Sequence, residues 1–97
     1  MNKFTKLVDS KYVASIKDVT IDQDYISGEL IDRLAKFENF YEEIEKNQIE
    51  ISNQLEVMRN DGKDKTVEYK ELFTKKLVNN NVMAFLRYHG LANKKGG

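Results

Sequence analysis

The sequence predicts an all-α protein: a long helical hairpin, with helices at about residues 23–60 and 66–89, and a short N-terminal helix. Three observations support this prediction. Apolar residues keep one heptad spacing from Leu30 to Met58, a turn signal surrounds Gly62, and residues 3–19 carry apolar side chains at helical steps. A heptad stripe lies on one helical face and is buried against another helix. The sequence therefore predicts a protein organised around helix-helix contact.

The 97-residue chain has no cysteine, so disulfides cannot supplement the thin core of so small a domain. Oligomerisation is the leading alternative, and we expect the hairpin to complete a bundle by pairing with a second copy. The N-terminal stretch lacks a signal-peptide core and no segment has the length of a membrane span. A cytoplasmic location is therefore expected, with signal-less export left open.

Residues 3–19 come first in the chain, and their apolar side chains recur at steps of one, three or four. This spacing favours a short helix, with a strand from Tyr12 to Ile16 as the alternative. Thr20 and Asp22 then offer caps for the long helix. Gly28 is predicted to lie inside that helix, either because the first helix approaches closely there or as a tolerated weak point.

The stripe of the long helix occupies the a and d positions of one register. Its members are Leu30, Leu34, Phe37, Tyr41, Ile44, Gln48, Ile51, Leu55 and Met58. The stripe is wide as far as Phe40 and narrows to a seam from Ile44 onwards. Gln48 interrupts the seam, and such a residue either fixes the register of a coiled coil or borders solvent.

The narrow seam is the predicted interface with a partner helix. It consists of Ile44, Gln48, Ile51, Leu55 and Met58. If these side chains pair with a second copy, Ile51→Asp is expected to weaken pairing more than folding.

The second helix has clear signals at both ends. Thr66 is the predicted N-cap, and Gly90 fits the left-handed position just past the C-terminus, with Leu91 folding back on Leu86. Asparagine is a poor helix former, so a kink or break at residues 79–81 is considered. We expect one helical domain over residues 1–91 and a flexible tail over residues 92–97.

Aromatic residues at helical spacing usually belong to a core. The sequence therefore predicts a core where the N-terminal segment and the two long helices meet. Its expected members include Phe37, Phe40, Tyr41, Phe85 and Tyr88.

The charges cancel overall but are sorted along the chain. Residues 22–50 are acidic and residues 59–97 are basic, which favours two halves that attract each other. The alternative is a nucleic-acid-binding surface. Its proposed phosphate contacts are Lys70, Lys75, Lys76 and Arg87, joined by Lys94 and Lys95. Zero net charge and the absence of a known nucleic-acid-binding motif disfavour it.

Catalytic and metal chemistry find no support in the sequence. His89 is the only histidine, which rules out a zinc site of Cys and His ligands, and its place in a last helical turn suggests a capping role. Glu38, Glu42 and Glu45 are interpreted as a solvated acidic face. No catalytic residue, cofactor site or metal site is predicted. The expected function is a non-enzymatic interaction or adaptor module that binds itself or another helical protein.

Overall fold

The computed structural model describes residues 1–93. In chain order the elements are β1 (Thr5–Val8), β2 (Lys11–Ala14), a 3₁₀ turn (Ile16–Asp18), β3 (Thr20–Ile21), β4 (Ile26–Ser27), α1 (Glu29–Asn60) and α2 (Val67–Tyr88). The long helical hairpin is confirmed. The all-α class is wrong, because four strands in two antiparallel sheets replace the predicted N-terminal helix.

The first sheet is a β-hairpin with a two-residue loop at Asp9 and Ser10. Both residues have positive φ, at 51° and 66°. Left-handed backbone at two successive loop residues matches the right-handed twist of paired strands and cannot continue an α-helix. The pairing runs from Thr5 opposite Ala14 to Val8 opposite Lys11. The predicted helix over 3–19 is therefore wrong, and the alternative strand overlaps β2.

The second sheet occupies the stretch where the long helix was predicted to start. β3 pairs with β4, with Ile21 opposite Ile26. Asp22 holds the connection, since its backbone N–H donates to the Tyr25 carbonyl at 2.9 Å and its carboxylate accepts from the Gln23 N–H at 2.8 Å. Asp22 thus stabilises a turn between strands, and the helix begins at Glu29 instead of residue 23.

Gly28 immediately precedes α1, and its carbonyl accepts the first helical hydrogen bond, from Asp32 N–H at 2.9 Å. Its φ is +121°, and a Cβ at this position would lie 2.7 Å from the backbone oxygen of Asp18. The close approach predicted for Gly28 therefore exists, but its partner is the 3₁₀ turn. Only glycine combines this backbone conformation with this proximity at low cost.

Replacing Gly28 with alanine should loosen β3 and β4. Strain of this kind costs about 1–3 kcal/mol, so the Asp22 amide should exchange with solvent about ten- to hundredfold faster. Gly62→Ala is the matched control, because Gly62 also has positive φ (+73°) but has no atom within 4 Å of the added Cβ. Hydrogen exchange followed by NMR measures both. If the Asp22 amide exchanged at the same rate in both variants, the close approach of Gly28 to the Asp18 backbone would not be what holds β3 and β4 together.

The chain divides into two compact units, and the boundary falls within α1 after Asn39. In the first unit, Arg33 of α1 holds the N-terminal segment. Its guanidinium lies 4.2 Å from the ring centre of Phe4 and donates a hydrogen bond to the Asn2 carbonyl. A cation over an aromatic face is attracted by the ring quadrupole, so one side chain anchors the chain before β1.

The second unit is the hairpin formed by α2 and the part of α1 from Phe40 onwards. Among the described residues, the buried hydrophobic side chains are Ile44, Ile51, Leu55 and Met83. Three come from the heptad seam of α1, and Met83 comes from α2. The core of the hairpin is therefore a single row of side chains between two helices.

The ends of the hairpin helices follow the predicted local signals. Thr66 caps α2 by accepting from the Tyr69 N–H at 3.2 Å. At the other end the Leu91 N–H donates to the Leu86 carbonyl at 2.7 Å, and Gly90 takes φ +73°. This is the predicted Schellman arrangement. α2 continues through residues 79–81 without a break, and the predicted tail at 92–97 lies mostly outside the described residues.

The predicted aromatic core is wrong for three of its members. Phe40, Phe85 and Tyr88 are exposed, whereas Phe37 and Tyr41 are half-buried. For Phe85 and Tyr88 the physical reason is that α2 has more apolar residues than one narrow contact with α1 can cover. The surplus lies on the far side of the helix.

Candidate interaction surface

The inner face of α2 packs against the seam of α1. Its half-buried or buried members are Tyr69, Leu72, Lys76, Asn79, Met83 and Leu86, spaced by three or four residues. Opposite them lie the five residues predicted as a partner interface. Three of them are buried within one chain: Ile44, Ile51 (4% exposed) and Leu55 (0% exposed). The other two, Gln48 and Met58, are half-buried. The chain's own α2 therefore covers the predicted seam.

A polar layer interrupts this contact at its centre. The Gln48 side-chain amide donates from Nε2 to Asn80 Oδ1 at 2.6 Å and to the Lys76 carbonyl at 3.3 Å. Gln48 Oε1 and Asn79 Nδ2 are buried and have no hydrogen-bond partner among the described residues. An unsatisfied buried polar group costs about 1–3 kcal/mol. Gln48 thus faces α2 inside the hairpin and cross-links the two helices at a cost in stability.

The opposite side of α2 carries a second apolar stripe, which we call the outer face. It comprises Phe73, Leu77, Val78, Asn81, Ala84, Phe85 and Tyr88, and the polar side chains of Lys70 and Thr74 lie on the same side of the helix. At about 100° per residue, its centre lies roughly 150° around the helix from the inner face. Leu77 is 48% exposed, Phe85 68% and Tyr88 83%. Contiguous exposed apolar side chains of this kind mark interaction sites.

The outer face contains an open depression near its C-terminal end. Asn81, Ala84, Phe85 and Tyr88 line it, around a volume of about 390 Å³. These residues are spaced i, i+3, i+4 and i+7 along one helix. Four side chains with this spacing form the hole that receives a single knob from a facing helix in coiled-coil packing.

The four basic residues proposed as phosphate contacts do not share one face of α2. Lys76 and Arg87 line the same groove beside Gln48, while Lys70 and Lys75 are separated by about 140° around the helix. Lys94 and Lys95 lie outside the described residues. Among the described positions, the basic half of the sequence does not form the single continuous stripe that tracks a phosphate backbone.

Near the turn, Arg59 links the two helices by donating from Nη1 to the Tyr69 hydroxyl at 3.0 Å. This hydrogen bond raises the pKa of Arg59, which stays charged at any physiological pH. The contact is at the surface, so it orients the helix ends more than it stabilises them.

The residues considered for catalysis and metal binding are all on the surface. His89 is exposed at the end of α2, where its ring meets the Tyr88 ring edge-on at 5.1 Å. Glu38, Glu42 and Glu45 are exposed on α1. Within residues 1–93, no group of three His, Cys, Asp or Glu side chains is arranged to hold a metal ion.

None of the helices in the described part of the chain combines the length and the apolar character that crossing a membrane requires. Comparisons with protein families, with curated proteins and with solved structures gave no significant match.

Sequence reasoning missed the outer face because it assigned Phe85 and Tyr88 of α2 to the core. The signal was present in the spacing. Leu72, Met83 and Leu86 follow one stripe, whereas Leu77 and Ala84 fall on a different side of the same helical wheel. Two apolar stripes on different sides of one helix cannot both pack against α1.

Proposed function

We propose that this protein is a cytoplasmic, non-enzymatic helical interaction module that associates with a second copy of itself through the outer face of α2. The observation that carries the proposal is this second apolar stripe, which remains in water after the inner face has packed against α1. Burial of apolar surface is the main favourable term in association. In a variant of this proposal, the partner that covers the outer face is a helix of another protein with a similar apolar stripe.

The small core gives a reason for self-association. Four buried hydrophobic side chains in the described residues contribute only about 1.5–3 kcal/mol each. Two-helix hairpins of this size usually need a further source of stability, and this chain has no cysteine. A second copy is always present at the same concentration, so it is the simplest partner for the outer face.

The test is the molar mass of purified protein, measured by light scattering during size-exclusion chromatography. The wild-type chain should give about twice its 11.3 kDa mass. Leu77→Glu places a charge in the apolar stripe and should give the monomer mass. At low temperature it should keep the helical circular dichroism of a folded hairpin, and its melting temperature should be lower than that of the wild type. Ile49→Glu is the matched control and should remain a dimer. Ile49 is exposed on α1, where it lines the groove beside Gln48 and Lys76 and is not part of the outer face.

A wild-type monomer at high micromolar concentration would overturn self-association. A dimer that survives Leu77→Glu and dissociates in Ile49→Glu would place the interface on α1 instead of α2.

A further inference from the structure

We draw no further inference here: the strongest candidate, the exposed outer face of α2 with the depression between Asn81, Ala84, Phe85 and Tyr88, carries nothing beyond the proposed function because nothing in the structure shows what covers it.

Discussion

Ile51→Asp is expected to unfold the helical hairpin. Ile51 is 4% exposed within one chain and lies in a core of very few side chains. A carboxylate there would be desolvated without a partner, and its volume would not fill the space left by isoleucine. Substitutions of this kind cost about 4–5 kcal/mol or more. At about 0.05–0.15 kcal/mol per residue, the hairpin from Phe40 onwards has about 3–9 kcal/mol of stability, and its very few buried side chains place it at the low end of that range. Helical circular dichroism at room temperature should fall to that of an unfolded chain.

Ile49→Asp is the matched control for this loss. It is the same substitution, two residues earlier on α1, at a side chain that is 66% exposed. Surface substitutions usually change stability by less than about 0.5 kcal/mol, so helix content should stay near that of the wild type. The sequence alone led us to expect a pairing defect from Ile51→Asp. A folded Ile51→Asp monomer would restore that expectation and contradict the burial of Ile51 within one chain.

The double variant Gln48→Met, Asn79→Leu is expected to stabilise the hairpin. It replaces two side chains that hold buried, unpaired polar atoms with apolar ones of similar size. Removing both polar groups relieves a cost of about 1–3 kcal/mol for each unsatisfied atom. Losing the hydrogen bond to Asn80 offsets only a part of this gain. Asn80 is exposed, so its side chain can bind water instead. We expect a net rise in melting temperature of about 4–8 °C per kcal/mol gained.

The control for this gain is Asn39→Leu, an exposed position on α1. Leucine forms helices better than asparagine, so this variant measures the contribution of propensity alone, about 0.5 kcal/mol. The double variant should exceed it clearly in a thermal melt. Lower stability in the double variant would mean that the polar layer stabilises the hairpin and that Gln48 Oε1 finds a partner in solution.

The parts of the fold that the sequence predicted are those specified by local chemistry. Thr66 caps α2 through its own hydroxyl, and Gly90 adopts the left-handed conformation that ends the helix. Each signal involves residues within one or two turns. The heptad seam of α1 extends over more residues, but its three-four spacing is repeated often enough to identify the buried face.

The N-terminal third was not predictable in the same way. Short apolar runs fit either a helix or a strand, and the decisive feature is the left-handed backbone at Asp9 and Ser10. Neither residue is glycine, so the composition gave little indication of a two-residue hairpin loop. Gly28 was predicted to lie inside the long helix, close to a first helix or as a weak point. It instead precedes α1, and the backbone that approaches it, that of Asp18, could be identified only from the structure.

The position of the candidate interaction surface was not predicted from the sequence. The sequence indicated a seam that seeks a partner helix, and the structure shows that α2 of the same chain meets that need. What remains exposed is the outer face, including Phe85 and Tyr88, which the sequence analysis assigned to the core. A helical wheel shows which residues share a face but not which neighbour covers that face. The residues that pack inside the hairpin and those that stay exposed could therefore be told apart only from the structure.

The central claim is that a second copy covers the outer face of α2. The most direct test is to measure how the melting temperature depends on protein concentration. Partner binding to the folded state stabilises it by mass action. The melting temperature of the wild-type chain should therefore rise steadily over a hundredfold increase in protein concentration, while that of Leu77→Glu stays constant. A wild-type melting temperature that does not change with concentration would contradict the claim.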